Sequence, residues 1–223
     1  MKRIMVATTI FVLLLGLTAC QSSATSSSSS SESPIQSDVY KVLVNKENKL
    51  PEDWLNRIEL VDTENSLGEK FKVERVALIN FEMLREELQK EGIDIELDST
   101  YRSVEEQEEI WAEWSKEKGE DYCRQYLAVP GYSEHHTGLA IDIFIIKDGK
   151  TIRENEDMIA DTGDFAKIHK LLPRFGFILR YPENKEEITG YNYEPWHLRF
   201  VGQPAAEVIT GRDITLEEYL AHE

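Results

Sequence analysis

The amino-acid sequence predicts an α+β fold in which helices flank a mainly antiparallel sheet. Amphipathic helical patterns and short apolar strands both occur after residue 39. They do not follow the regular strand–helix–strand order that builds a parallel sheet. The 223 residues are enough for one sizeable hydrophobic core, and nothing in them indicates a second one. We therefore expect a single domain over residues 39–223.

The first 38 residues are predicted to be a targeting segment and a tether. Two basic residues precede an apolar run over residues 10–17, which is typical of a secretory signal peptide over residues 1–19 and too short to cross a bilayer comfortably. The Leu-Thr-Ala-Cys sequence that ends at Cys20 resembles a bacterial lipobox, although an incidental cysteine is the alternative. Residues 20–38 are rich in serine and predict a flexible tether. We expect an extracytoplasmic protein anchored to the bacterial cell membrane by a lipid on Cys20.

The charge and the cysteine content exclude two classes of protein. A net charge of −17 provides no basic face for nucleic-acid phosphates, so no nucleic-acid partner is expected. The simplest consequence of this charge is solubility. Two cysteines, Cys20 and Cys123, are too few for a disulfide framework. Cys123 has no cysteine at metal-ligand spacing and is expected to be a packed thiol.

In the first half of the chain, helical and strand patterns follow one another. Residues 40–44 alternate as a short strand. Residues 71–90 place their apolar side chains on one helical stripe, and residues 93–98 alternate as a second strand. Ser103 begins a Ser-x-x-Glu capping box, which predicts a helix over residues 104–118.

In the second half, residues 139–146 are apolar except for Asp142, which indicates a buried strand with one charged side chain. The period of two puts Ala140, Asp142 and Phe144 on one face. A carboxylate in such a strand costs free energy unless it is paired or binds a metal ion. The remaining predicted elements are a helix over 164–172, strands over 177–181 and 196–201, and two short helices beginning at Pro204 and Thr215.

Three residues offer a ligand set that suits zinc: His135, Asp142 and His197. Three protein ligands of this kind leave a fourth tetrahedral position for water. His135 and Asp142 are too far apart for one helical turn, but a bend at Gly138 allows a loop and a strand to meet at one ion. Glu194, three residues before His197, is placed to act as a general base on that water. The pattern predicts a zinc hydrolase.

Alternative interpretations of the histidine, aspartate and serine residues are less well supported than a zinc site. His135 and Asp142 alone would more often be structural, and the Glu-Pro-Trp-His sequence at 194–197 favours the metal site. A His-Glu-x-x-His motif is absent, which excludes a thermolysin-like site. Ser133 lacks the Gly-x-Ser-x-Gly elbow of a Ser-His-Asp hydrolase, so its hydroxyl is expected to contact substrate or to support a ligand. Three histidines are expected not to bind metal, namely His136 beside the site and the solvated His169 and His222.

Three ordered motifs resemble those of the VanY-type zinc D-alanyl-D-alanine carboxypeptidases. They are Ser-Thr-Tyr-Arg-Ser with a following Gln at 99–107, Ser-x-His-x-x-Gly-x-Ala-x-Asp at 133–142, and Glu-x-Trp-His at 194–197. The resemblance covers about residues 40–201. This superfamily, abbreviated LAS, also contains lysostaphin-type peptidases, L,D-carboxypeptidases and the hedgehog signalling domain. The resemblance implies an antiparallel sheet that carries the zinc site.

The resemblance also implies a role for each motif residue. It implies one zinc ion per chain, held by His135, Asp142 and His197. The remaining implied roles are general base and acid for Glu194, oxyanion contact for Arg102, and binding of the peptide end for Arg102, Gln107 and Ser133. If Glu194 is not the base, Glu134 is the next candidate.

The implied substrate is a bacterial peptidoglycan stem peptide that loses its C-terminal D-alanine. The acidic residues Glu105, Glu106 and Glu108 could receive the side-chain ammonium of a lysine or diaminopimelate. This favours L,D cleavage of a tetrapeptide over cleavage of D-Ala-D-Ala in a pentapeptide, unless these glutamates are only a solvated helix face. The same motifs also allow a cell-wall endopeptidase or a non-enzymatic, zinc-containing wall-binding module. A monomer is expected.

Overall fold

The computed structural model describes residues 39–222, which form two antiparallel sheets and a set of helices. The predicted signal peptide, Cys20 and the tether lie outside the described residues. The strands are β1 (Leu60–Glu64), β2 (Lys70–Glu74), β3 (Asp94–Ser99), β4 (Ala140–Lys147), β5 (Lys150–Ile152), β6 (Phe177–Leu179) and β7 (His197–Phe200). The helices are α1 (Arg75–Lys90), α2 (Val104–Lys118), α3 (Glu120–Tyr126), α4 (Asn155–Ala160), α5 (Thr162–Leu171), α6 (Glu186–Thr189), α7 (Gln203–Arg212) and α8 (Leu216–Leu220).

The main sheet has the strand order β3-β4-β7-β6, with β5 paired to β4. Every strand pair in it is antiparallel. β1 and β2 form a separate antiparallel hairpin. The predicted mainly antiparallel α+β fold is therefore confirmed.

One face of β4 packs into the core, and the other face carries Asp142. Ile141, Ile143 and Ile145 of β4 are buried in the main hydrophobic cluster together with Phe81 of α1. Removing each such side chain from water contributes about 1.5–3 kcal/mol. Asp142 belongs to the opposite set in the two-residue period, so the core holds the strand while its other face stays available for chemistry.

The predicted helix over 71–90 was wrong at its beginning. Phe71 and Val73 belong to β2, where they pair with Thr63 and Val61. Helix α1 begins only at Arg75. Glu74 caps it, because the Glu74 side chain accepts a hydrogen bond from the Ala77 N–H at 2.8 Å. A short run with apolar residues two apart fits both periods, and pairing with β1 decides in favour of the strand.

The predicted strand over residues 40–44 is absent from the structure. Tyr40 and Val44 are buried, but the segment pairs with none of the strands described above. The Tyr40 and Val42 carbonyls instead accept hydrogen bonds from Nη2 of Arg199 at 3.0 and 2.6 Å. An arginine side chain therefore replaces the neighbouring strand that the alternation suggested.

Helix α2 has the bounds predicted from its capping box. Ser103 accepts from the Glu106 N–H at 3.1 Å, and Glu106 accepts from the Ser103 N–H at 2.7 Å. Gly119 follows its last residue with a φ of 91°, which favours glycine. Across residues 39–222, no helix combines the length and apolar character that crossing a bilayer requires.

Candidate metal centre

Strand register places the predicted ligands Asp142 and His197 side by side. β4 and β7 pair so that Asp142 is directly opposite His197. On the other side of β4, Ser99 at the end of β3 is opposite Asp142. Directly opposed residues project from the same face of a sheet, so the carboxylate and the imidazole meet above it.

His135 reaches the same place from a short 3-10 turn, Glu134–Thr137, that precedes β4. Gly138 ends this turn in the left-handed region with a φ of 69°. A Cβ atom there would lie 2.6 Å from Cδ2 of Leu60, so both backbone angle and space favour glycine. The Arg102 N–H donates to the His135 carbonyl at 3.2 Å, which ties the turn to the loop bearing Arg102.

The potential ligand atoms of the three residues converge. Nε2 of His135 lies 3.2 Å from Oδ2 of Asp142, and Nδ1 of His197 lies 2.8 Å from Oδ1. One ligand atom from each residue lies within 4.8 Å of the others. Oδ1 of Asp142 is buried, and within residues 39–222 neither Nδ1 of His197 at 2.8 Å nor another group makes a well-aligned hydrogen bond with it. A buried, unpartnered carboxylate oxygen beside two imidazole nitrogens fits a zinc ion.

The far nitrogen of each histidine ring also has a partner. Nδ1 of His135 lies 2.7 Å from the Thr100 carbonyl oxygen, which can only accept, so Nδ1 donates and the lone pair of the neutral ring is on Nε2. Nε2 of His197 lies 3.3 Å from Oε2 of Glu134, while Nδ1 faces Asp142. Such outer contacts orient metal-binding histidines.

Charges within the site shift its protonation equilibria. Burial disfavours an ionised Asp142, but positive charge on His135 and His197 outweighs it and holds the pKa of Asp142 well below its usual range. Burial disfavours a charged His197, whereas Asp142 and Glu134 favour it more strongly and raise the pKa of His197 to about 10. A metal ion that binds at neutral pH therefore displaces a proton from His197.

Glu194 lies beside the three predicted ligands, as expected. The His197 N–H donates to the Glu194 carbonyl at 3.1 Å, which closes a tight turn before β7. Oε2 of Glu194 is 3.8 Å from Nδ1 of His197. Burial and the charges of Asp142 and Glu134 raise the pKa of Glu194 to about 7, although His197 opposes the shift. A carboxyl group with this pKa can both accept and return a proton near neutral pH.

Arg102 is fixed by two side chains at the edge of the site. Its Nη1 donates to Oε1 of Gln107 at 2.9 Å, and its Nη2 donates to Oγ of Ser99 at 3.0 Å. Gln107 is fully buried, and its Nε2 donates to the Ala128 carbonyl at 2.8 Å. The amide of Gln107 thus positions Arg102. The contact of Gln107 with the peptide end stays a prediction, and so does that of Ser133.

A cavity of about 480 Å³ opens over these groups. The predicted site residues on its wall are Arg102, Gln107, Ser133, His135, Asp142, Glu194 and His197. Ile110, Trp114 and Tyr191 are also on the wall. In contrast, Glu105, Glu106 and Glu108 are exposed and lie outside the wall. These three glutamates therefore do not support the predicted preference for a tetrapeptide.

The surroundings of the other three histidines agree with the sequence for two of them. His136 lies beside the site outside the ligand group, as expected, and bridges the Arg102 carbonyl at 2.6 Å and the Gly131 N–H at 3.0 Å. His222 is exposed, as expected. The prediction of a solvated His169 was wrong, because its ring bonds to the Pro195 carbonyl at 2.9 Å and burial lowers its pKa. Cys123 is buried, which confirms a packed thiol.

The sequence analysis did not predict the buried ion pairs beneath the site, in which Arg180 and Arg199 both contact Glu134. Their side chains are 0–1% exposed. Burial disfavours an ionised Glu134, but Arg180 and Arg199 outweigh it and hold the pKa of Glu134 well below its usual range. Each arginine interrupts an apolar strand pattern, as Asp142 does, and that interruption is the signal that could have identified it.

The sequence of the chain also matches a known protein family. The family model named VanY, described as D-alanyl-D-alanine carboxypeptidase, matches residues 70–203, which is more than half of the chain. The chain belongs to the VanY family. This confirms the resemblance inferred from the three motifs.

Two solved structures share the fold of this chain. The structure of LdcB, an LD-carboxypeptidase studied for peptidoglycan recognition, has a TM-score of 0.69 and 37% sequence identity, covering 83% of this chain and 87% of that one. A mutant of VanY, a D,D-pentapeptidase from a VanB-type vancomycin resistance cassette, was solved in complex with Zn(II). It has a TM-score of 0.62 and 33% identity, covering 82% of this chain and 99% of that one.

A curated relative extends the comparison to D-Ala-D-Ala chemistry. The bifunctional D-Ala-D-Ala dipeptidase and carboxypeptidase VanXYC of Enterococcus gallinarum is 45% identical over 130 residues, covering 56% of this chain and 66% of that protein. The chain spans just under two thirds of the length of two curated relatives that it matches, 65% and 66%.

Proposed function

We propose that this VanY-family chain is a zinc-dependent carboxypeptidase that releases the C-terminal D-alanine of peptidoglycan stem peptides. The observation that carries the proposal is the convergence of His135, Asp142 and His197, with Glu194 and Arg102 on the wall of the same cavity. The three ligands would hold one zinc ion per chain. Glu194 also argues against a purely structural zinc site, because such a site needs no base.

The proton transfers fall to Glu194. A zinc ion at this site would supply Lewis acidity, which polarises a peptide carbonyl and lowers the pKa of water. The Glu194 carboxylate takes the proton from the attacking water and returns it to the nitrogen of the departing D-alanine. Its pKa of about 7 suits both steps near neutral pH.

Arg102 would donate hydrogen bonds to the oxygen of the scissile carbonyl as negative charge develops there, and its position on the cavity wall supports this role. Its guanidinium is held by Gln107 and Ser99, so little reorganisation is needed when the charge forms. A planar fork with several N–H donors suits this contact better than a single ammonium group.

We expect Arg102→Lys to lower kcat/KM by about 10²–10³-fold, the usual loss when one oxyanion donor is removed. The positive charge remains, so zinc content should not change. Steady-state kinetics and metal analysis would measure the two effects. Arg75→Lys is a matched control, because Arg75 forms an exposed ion pair with Glu59 outside the cavity. Unchanged kcat/KM in Arg102→Lys would remove Arg102 from the site.

For the substrate, we propose tetrapeptide trimming at the L-to-D bond, with pentapeptide trimming at D-Ala-D-Ala as the alternative. Support for the tetrapeptide comes from the likeness to LdcB, an LD-carboxypeptidase at 37% identity. The likeness to VanXYC, which acts on D-Ala-D-Ala, supports the alternative. Both reactions release D-alanine, so the choice depends on the residue before the scissile bond.

We expect kcat/KM to be higher for the tetrapeptide than for the pentapeptide when both carry the same diamino acid. Parallel assays that quantify released D-alanine decide the question. A clear preference for the pentapeptide would reverse the substrate assignment while leaving the proposed reaction class intact.

We also propose that the protein works outside the cytoplasm as a lipoprotein attached through Cys20, which would place it next to the cell wall. The support is the short apolar run followed by the Leu-Thr-Ala-Cys sequence. Cys20→Ala should prevent lipidation and release active protein from the membrane fraction. Immunoblots of membrane and soluble fractions would test this. Membrane sedimentation of Cys20→Ala equal to that of the parent protein would contradict the lipid anchor.

A further inference from the structure

Glu134 lies directly beneath His197 in a cluster of buried charges, defined here as Glu134, Arg180 and Arg199. Oε1 of Glu134 accepts hydrogen bonds from Nε of Arg180 and from Nη1 of Arg199, both at 2.6 Å. Oε2 is the oxygen that faces Nε2 of His197 at 3.3 Å. The carboxylate therefore divides its two oxygens between the arginines and the histidine ring.

The two arginines are themselves fixed from the other side. Arg180 donates to both carboxylate oxygens of Glu217, at 3.0 and 2.6 Å. Arg199 donates to two backbone carbonyls in the segment before β1, those of Tyr40 and Val42. Rigid donors on one side of Glu134 leave its other oxygen only one orientation, which is toward His197.

This arrangement selects one form of the His197 ring. A carboxylate held by two guanidinium groups is ionised and can only accept, so Nε2 of His197 must carry the hydrogen. The lone pair of the neutral ring is then on Nδ1, which lies 2.8 Å from Oδ1 of Asp142. His135 has the opposite arrangement, with Nδ1 bonded to the Thr100 carbonyl and Nε2 facing Asp142.

We propose that Glu134 is a positioning residue that presents Nδ1 of His197 to the metal ion, with Arg180 and Arg199 holding its carboxylate in place. Glu134 is thus not a substitute base, because both of its oxygens are turned to protein groups. The inference rests on the proposed function, since it presumes that the site binds zinc.

A purely structural role for the cluster makes a different prediction. The cluster connects the turn before β4, the residue after β6 and the interior of β7, and Arg180 also pairs with Glu217 of α8, so any loss of charge should affect stability. Only a positioning role makes zinc affinity depend on the contact between Glu134 and His197. The test must therefore separate affinity from folding.

Glu134→Asp and Glu217→Gln form the matched pair for this test. Glu134→Asp keeps the charge that the arginines need but is one methylene too short to reach them and His197 together. Glu217→Gln removes the charge opposite Arg180 but keeps an oxygen that can accept from it, so the contact between Glu134 and His197 should persist. Circular dichroism would establish folding, and competition with a chromophoric chelator would measure zinc affinity.

We expect zinc affinity to fall by about 10–100-fold in Glu134→Asp, the usual loss when an outer partner of a ligand is removed. Glu217→Gln should bind zinc like the parent protein even if its Tm falls. Affinity within threefold of the parent in folded Glu134→Asp would overturn the inference. The same conclusion would follow if Glu217→Gln weakened zinc binding as much.

A measurement on the unaltered protein decides the matter even if Glu134→Asp does not fold. Long-range 1H–15N correlation spectra of the zinc-loaded protein should show a protonated Nε2 on His197 and a protonated Nδ1 on His135. Coordination of zinc through Nε2 of His197 would refute the role of Glu134 and leave the proposed function standing. Failure of the parent protein to bind zinc would instead refute the proposed function.

Discussion

Replacing Glu194 with glutamine should lower turnover by about 10²–10⁴-fold, the usual contribution of general acid–base catalysis. Glutamine has nearly the same shape but cannot take a proton from water. The ligand atoms of His135, Asp142 and His197 remain in place, so the variant should still bind zinc. The loss should appear in kcat, because the substituted group acts on the proton in the transition state.

The control for this prediction is Glu187→Gln. Glu187 is exposed on the short helix α6, outside the cavity wall, and its loss should not alter kcat. Kinetics and zinc content would be measured on the same preparations. Near-normal turnover in zinc-loaded Glu194→Gln would assign the base elsewhere, although not to Glu134, whose oxygens are held by Arg180, Arg199 and His197.

Alanine at His135, Asp142 or His197 should abolish stable zinc binding and, with it, activity. Each substitution removes one of only three protein ligands. The expected loss of affinity is therefore larger than the roughly 10–100-fold that follows from removing an outer-shell partner. Because an ion that binds only the folded state stabilises it, zinc should raise the Tm of the parent protein but not of these variants.

Metal analysis after dialysis and thermal melts with and without zinc would measure these effects. His222→Ala is the matched control, since His222 is exposed and outside the ligand group. Apparent zinc affinity of the parent should rise between pH 6 and 8, because the ion competes with a proton on His197, whose pKa is about 10. Full zinc occupancy in His135→Ala would show that the ligand assignment is wrong.

The residues proposed to bind the ion could be identified in the sequence because they break local patterns. Asp142 is the one charged side chain in the apolar run 139–146, and its pairing with His197 follows from the antiparallel register of β4 and β7. Gly138 marks the bend that lets His135 join them. Local sequence was sufficient to mark each of these residues, whereas the meeting of Asp142 and His197 depends on strand pairing.

The elements that were missed depend on contacts between distant segments. Residues 71–74 satisfy a helical stripe, and only pairing with β1 makes them a strand. Residues 40–44 alternate, yet they bond to the Arg199 side chain near the other end of the domain. The role of Glu134 likewise depends on two distant arginines, Arg180 directly after β6 and Arg199 in β7.

The location of the acidic residues on α2 shows a further limit. Gln107, Ile110 and Trp114 are spaced by three and four residues and share the face that lines the cavity. Glu105, Glu106 and Glu108 are adjacent to Gln107 along the chain, but the helical period turns them to solvent. Closeness in sequence was therefore a poor guide to closeness to the cavity.

The most direct test of the zinc carboxypeptidase assignment is product analysis on defined stem peptides. Purified protein would be incubated with tetrapeptide and pentapeptide, with a chelator, and with zinc restored after chelation, and the products identified by mass. We predict that free D-alanine and a stem shorter by one residue form only when zinc is present. Cleavage that persists undiminished after complete zinc removal, or zinc-loaded protein that cleaves neither peptide, would contradict the assignment.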